Sequence, residues 1–227
     1  MSCRFPLYTL RFKLLSVNTY KTEGIILKRS DFGEADRLLT IFTKRQGKIR
    51  VLAKGVRRLT SRKGGNLELF NQVRIFVREG KSLDLVTEVE LLRSFGEWRK
   101  DLPKVAVAYQ LCELADKLTA EHQKHPEVYE LLAQNLSDLA NPVPDCQLLI
   151  ANYQLSLLES LGFWPRGRSC EGVNLEKYIE SLIERELKSK SFLRLSAAKV
   201  DRFVQKGNSF VSPLKFNLPI LSNSQEH

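Results

Sequence analysis

The chain is poor in the residues from which catalytic and metal centres are built. Its four cysteines, Cys3, Cys112, Cys146 and Cys170, lie far apart and form no CxxC pair. That spacing supports neither a disulfide framework nor an all-cysteine zinc site, and a reducing, cytosolic setting follows. Of three histidines one is terminal, too few to build a Ser/His/Asp or Cys/His centre. His122 and His125 stand three residues apart without a third ligand in reach of the sequence, and read as a solvated helix end. No GxxxxGK[ST] loop occurs, so nothing points to nucleotide hydrolysis. Glu34 and Asp36 are placed at a strand entrance rather than as a working pair of carboxylates. No catalytic residue and no cofactor are expected. No apolar run approaches the roughly 18 residues of a membrane span. The leader around Phe5 to Leu10 is followed by Arg11 and Lys13 and lacks a small-residue cleavage site, so it is not read as a signal peptide. Residues 1–18 are set apart as an N-terminal extension.

Acidic residues are also missing, but only in places. Residues 1–17 hold three basic residues and no acid, and Asn18 to Ser94 hold 17 basic against 9 acidic. Phe95 to His227 hold 16 basic and 17 acidic residues, so the formal charge of +10 belongs to the first half. Its densest stretch is KRQGKIRVLAKGVRRLTSRK, in which nine of twenty residues are basic and none acidic: Lys44, Arg45, Lys48, Arg50, Lys54, Arg57, Arg58, Arg62 and Lys63. Part of this run alternates with apolar residues, as a strand over Ile49 to Lys54 would. Charges fixed on a strand cannot relax apart as those of a loose tail do, and the usual partner of such a field is a polyanion. The asymmetry predicts a polyanion-binding module joined to a neutral module with another task.

Between Thr19 and Phe95 the chain reads as five short strands separated by turns. Gly24 to Arg29 is an apolar run closed by Ser30-Asp31-Phe32-Gly33. Arg37 to Thr43 is the second strand and the basic strand the third. Phe70 to Arg78 alternates, with Val73, Ile75 and Val77 on one face and Arg74, Phe76 and Arg78 on the other. Leu83 to Leu92 is the fifth. Five strands in under 80 residues fit a small barrel, of the OB or the SH3-like type. Phe76, between Arg74 and Arg78, is the aromatic most suited to stack on a base, though a core or inter-domain contact would use it equally. Phe32, Phe42 and Phe70 are assigned to the core. After Gly96 the period becomes helical. A first helix follows Pro103, with Val107, Leu111, Leu114 and Leu118 on one face. A second, from Pro126, carries Val128, Leu131, Leu132, Leu136 and Leu139. A third presents Leu148, Ala151, Leu155 and Leu158, and stops at Gly162. A fourth is capped by Asn174, with Leu175, Tyr178, Ile179, Leu182 and Ile183 inward. A short helix over residues 196–206 and a loose tail over 207–227 complete the reading. The fold class is α+β: a barrel domain over 19–96 and an all-α domain over 97–206.

TEGIILKRSDFGEADRLLTIFTKRQGKIRVLAKGVRR resembles the opening of the bacterial RecO family of recombination mediators. Leu67 to Phe70 through Glu90 to Phe95 is similar to the end of that family's barrel. Asp101-Leu102, Glu113 to Asp116, Leu157 to Gly162 and Leu187 to Leu193 are similar to its helical signatures. The resemblance spans about Thr19 to Leu195 and implies an OB barrel followed by a helical domain. It also implies non-specific binding and annealing of single-stranded DNA, with duplex bound more weakly. Its implied partners are RecR and the acidic tail of single-strand-binding protein, with RecA loaded indirectly and RecF left open, in a cytoplasmic, nucleoid-associated setting. Many members carry a four-cysteine zinc loop after the LLELLG-like segment. Here only Cys170 remains, so the loop reads as lost and no structural zinc is expected. The residues assigned to nucleic acid are the nine basic ones of the run together with Arg74, Phe76 and Arg78. The neutral helices would dock proteins. Affinity would then fall on the order of a thousandfold between about 50 and 200 mM salt if six or more phosphates are contacted. A basic RNA-binding barrel of a ribosome-associated factor is the alternative, since the barrel pattern does not separate DNA from RNA. A nuclease using the acids near Gly33 is a distant third.

Overall fold

The computed structural model describes residues 18–61, 63–141, 145–184 and 187–189. Five strands, β1 (Thr19–Phe32), β2 (Asp36–Thr43), β3 (Gly47–Ala53), β4 (Gln72–Arg78) and β5 (Asp84–Arg93), precede four helices. The strands close into a barrel in the order β1-β2-β3-β5-β4. All pairings are antiparallel except β3 with β5, which run parallel through Val51 opposite Asp84 and Leu52 opposite Leu85. This is the OB arrangement, and it decides between the two barrel types the pattern left open.

Alternation builds the interior. Leu39 and Ile41 of β2, Ile49, Val51 and Ala53 of β3, and Val73, Ile75 and Val77 of β4 form one buried cluster with Ile26, Val56, Leu67 and Val86. β1 is longer than its apolar run because it serves two neighbours: Thr19 to Ile25 pair with β4, Gly24 to Phe32 with β2. Ser30, Asp31 and Phe32, read above as a turn, stay in the ladder opposite Leu38, Arg37 and Asp36. The chain reverses only at Gly33, whose φ of 61° lies in the left-handed region that glycine enters freely.

The helices are α1 (Leu102–Leu118), α2 (Pro126–Asp138), α3 (Cys146–Ser160) and α4 (Leu175–Ile183). Pro103 and Pro126 sit in first turns, where no intrahelical N–H is lost. Asp145 caps α3 by accepting from the amides of Gln147 and Leu148, and Asn174 caps α4 by accepting from Lys177. Two helical faces differ from the expectation. In α3 the buried residues are Tyr153, Gln154, Leu157 and Leu158, while Leu148 and Ala151 face solvent. That helix is apolar on nearly every side, so its spacing selects no face. In α4 Leu175 and Ile179 are buried, Tyr178 and Ile183 pack against them, and Leu182 is exposed. The short helix over 196–206 and the tail over 207–227 lie outside the described residues.

Barrel and helices share a second core. Ile25, Leu27 and Phe42 turn outward from the strands and, with Phe70 in the turn just before β4, are buried with Phe95, Trp98, Leu111, Leu114, Val128 and Leu132. Phe42 and Phe70 are therefore buried as expected, but against the helices. Polar ties accompany the packing: Trp98 Nε1 donates to Leu136 O at 3.1 Å, Gln72 Nε2 to the Tyr129 hydroxyl at 2.9 Å, and Arg99 to Leu69 O at 2.7 Å. The β2–β3 hairpin abuts the α1–α2 connection. A Cβ on Gly47, whose φ is 70°, would lie 1.8 Å from Gln123 O, so only glycine permits that approach. His122, exposed in that connection, donates its backbone N–H to Lys48 O at 2.9 Å. His125 is not a solvated end. It stands just before α2 with its side chain 14% exposed and Nδ1 3.6 Å from Glu127.

Candidate nucleic-acid interface

An OB barrel offers its ligands the outer face of β2 and β3 and the loops beside it. Strand register defines that face here. Lys28 of β1 stands opposite Thr40 of β2, and Thr40 opposite Arg50 of β3. The next row is Ser30, Leu38, Leu52 and, across the parallel pair, Leu85. Beyond it Phe32 lies opposite Asp36, and Lys54 follows the inward Ala53. Lys28, Arg50 and Lys54 are exposed, and Phe32 is 48% exposed. Cations thus flank an apolar strip, with one open aromatic ring at its edge. Among the described residues neither Lys28 nor Lys54 has an acidic partner, and Arg50 reaches only Glu121, at 4.0 Å.

The basic loop after β3 borders this face. Arg57 folds back on the β1–β2 turn, 3.4 Å from Asp31 and donating to Gly33 O at 3.3 Å, while Arg58 is exposed. Lys63 donates to Thr87 O across the loop. Arg62 lies outside the described residues. Arg29 and Arg37, deeper in, are both committed to Glu68. Asp36 holds the loop by accepting from the Gly55 amide at 2.7 Å, which bears out its placement at a strand entrance.

Of the twelve residues expected at one surface, the eleven described divide into three groups. Lys48 leaves the surface altogether. It points outward from the barrel, as alternation requires, but α1 covers that spot. Its Nζ donates to Thr119 O at 2.7 Å and to Asp116 O, and lies 3.2 Å from the Asp116 carboxylate. Arg50, Lys54, Arg57, Arg58 and Lys63 gather on or beside the β1–β2–β3 face. Lys44 and Arg45 lie at the tip of the β2–β3 hairpin, and Arg74 and Phe76 on β4, which neighbours β1 and β5 and touches neither β2 nor β3. Arg74 is held by Glu23 at 2.7 Å and Glu90 at 2.9 Å, and its hydrogen bonds to Glu23, then Glu90, raise its pKa. Phe76 is half-buried on the outer side, with Lys21 Nζ 4.9 Å from its ring centroid. Arg78 is exposed at the far end of β4, opposite Leu85. Among the described residues no single track runs through all of them, since Lys48 is covered by α1.

Two residues of the face escaped the sequence reading. Phe32, expected in the core, belongs instead to the extended end of β1 and stands open there. Lys28 fell outside the dense basic run, and only the register puts it in line with Arg50. Among the described residues no cluster of three or more His, Cys, Asp or Glu is placed to hold a metal ion, and no helix is long and apolar enough to cross a membrane.

A closed OB barrel with a cationic outer face, packed on a helical domain through a shared core, defines an OB-barrel protein with a helical partner domain. Residues 17–95 match the model of the recombination protein O N-terminal domain, and residues 99–175 that of its C-terminal domain. A protein of Dehalococcoides mccartyi named DNA repair protein RecO is 32% identical over 219 residues, covering 89% of this chain and 85% of the relative. Proteins of the same name from Symbiobacterium thermophilum and Bifidobacterium adolescentis are 35% and 40% identical, over 69% and 66% of this chain. This chain belongs to the RecO family. It spans 62% of the length of each of those last two relatives.

Proposed function

We propose that this chain is a non-catalytic recombination mediator of DNA repair, which binds single-stranded DNA on its barrel and anneals complementary strands. Three things support the reading: membership of the RecO family, relatives named for DNA repair, and the geometry of the barrel's outer face. The observation that carries it is the row Lys28, Thr40, Arg50 with Lys54 and open Phe32 beside it. Cations at strand spacing meet successive phosphates without reading bases, and an exposed ring stacks on any base. Duplex DNA, whose bases are already stacked, gains nothing from Phe32 and binds more weakly. RecR and the acidic tail of single-strand-binding protein would dock on the helical half, with RecA loaded as a consequence, in the cytoplasm near the nucleoid. No structural zinc is invoked at Cys170.

Annealing needs no active site: a fixed positive surface screens two strands that repel each other and raises their local concentration. The experiment is annealing of complementary strands coated with single-strand-binding protein, with and without the acidic tail of the coat. Annealing that depends on the tail is expected, and no annealing with either coat would remove the proposal's mechanism. Phe32→Ala should weaken single-strand binding by about 1–3 kcal/mol, the contribution of one stacked base, and leave the salt dependence unchanged. A fluorescence titration at two salt concentrations checks both parts. Equal affinity of variant and parent would take Phe32 out of the interface.

A further inference from the structure

The candidate residues that do not reach the β1–β2–β3 face form a surface of their own. Lys21, Lys44, Arg45 and Arg74 line, with Thr22 and Glu23, a cleft of about 530 Å³ where β1, β4 and the β2–β3 hairpin meet. Glu23 is taken up by Arg74, and Lys44 by Glu130 at 2.6 Å. Among the described residues Lys21 and Arg45 have no acidic partner there, and Lys21 lies over the Phe76 ring. Thr22 is buried, and its side chain, opposite the inward Ile75, lies on the barrel side of β1.

Helices and carboxylates stand between this cleft and the outer face along most of their border. Along β1, the outward residues between Glu23 and Lys28 are Ile25 and Leu27, and both are buried beneath the helices. Around the other way lies β5, whose exposed Glu90 and Glu88 stand opposite Arg74 and Phe76. A phosphodiester backbone leaving the cleft therefore meets packed helix in one direction and Glu90 and Glu88 in the other, and only the row Arg78, Leu85, Leu52 at the far end of β4 carries no carboxylate.

We propose that the cleft is a second single-strand site, independent of the outer face, so that one chain holds two strands at once. The proposal rests on the nucleic-acid reading given above and deepens it. Two strands tethered to one small domain face each other at an effective concentration in the mM range, which turns annealing into a nearly intramolecular search. Arg45 and Lys21 would meet phosphates, and Phe76 would take a base against its free edge.

The test uses the full chain and an oligothymidylate of about 16 nucleotides, the upper end of one OB site and unable to pair with itself. Calorimetric titration at low salt should give two strands per chain, with the number of chains per particle fixed by sedimentation. K21A/R45A should bind one strand, K28A/R50A/K54A should bind one, and the combined variant should lose both. One strand per chain in the parent, with both variants weakening that same event, would overturn the second site and leave nucleic-acid binding intact. No binding of the oligothymidylate at all would overturn this proposal together with the function on which it rests.

Discussion

Lys48→Met is expected to destabilise the protein strongly while the neighbouring Arg50→Met leaves its stability almost unchanged. Both residues come from one basic run and both point outward from β3, yet their surroundings are opposite. The Lys48 side chain is 10% exposed and its ammonium sits at the C-terminal end of α1. The last carbonyls of a helix have no intrahelical donors and carry the negative end of its dipole. Lys48 supplies two of those donors, to Asp116 O and Thr119 O, and faces the Asp116 carboxylate as well. Methionine keeps the aliphatic packing but leaves two carbonyls unsatisfied and a largely buried carboxylate unpaired. The cost should be on the order of 3 kcal/mol, as when one member of a buried pair is removed. Arg50 and Glu121 are both about half exposed and 4.0 Å apart, a pair for which less than about 1 kcal/mol is expected. Urea unfolding of the two variants checks the contrast. Adding Asp116→Asn to Lys48→Met should recover part of the loss, because the stranded charge is then gone. An unchanged urea midpoint for Lys48→Met would show that the barrel and α1 are not tied there.

Lys48 also marks the boundary of what the sequence discloses. Alternation in β3 separates the inward Ile49, Val51 and Ala53 from the outward Lys48 and Arg50, and the structure keeps that division. Alternation is silent on what lies over the outer side. Whether an outward lysine meets water or a helix end depends on contacts 68 and 71 residues away in the chain. The same blindness explains Phe42 and Phe70, whose burial was legible but whose partners are helical. Arg74 and Phe76 were read correctly as outward. Grouping them with Arg50 failed because the strand order, in which β5 enters between β3 and β4, is invisible to a period of two. In α3 the signal was absent rather than misread, since Leu148, Leu149, Ile150, Ala151, Leu155, Leu157 and Leu158 leave no polar side to define a face. The family resemblance carried the OB topology, the apolar period with its prolines and caps carried the four helices, and register then supplied Lys28 and Phe32.

K28A/R50A/K54A should flatten the salt dependence of single-strand binding by about 2 in the slope of log affinity against log salt. Each phosphate neutralised on a single strand releases about 0.7 of a condensed counterion, so three lost contacts remove about 2.1. The difference is visible without extrapolation, because a fourfold rise in salt then costs the variant about sixteenfold less affinity than it costs the parent. The comparison is cleanest on a K21A/R45A background, where the cleft beside β4 is silenced and the outer face is read alone. None of the three outer residues supports the fold: Lys28, Arg50 and Lys54 are exposed, and Arg50 has only its loose approach to Glu121. A change in urea midpoint is therefore not expected, which separates this outcome from the one at Lys48. The slope also distinguishes phosphate contact from simple loss of net charge. Removing three exposed cations of the helical domain, such as Lys100, Arg166 and Lys177, lowers the net charge equally but should leave the slope near the parent's. If both triple variants flattened it alike, binding would be set by the overall charge of the chain and not by the row of cations on β1 and β3.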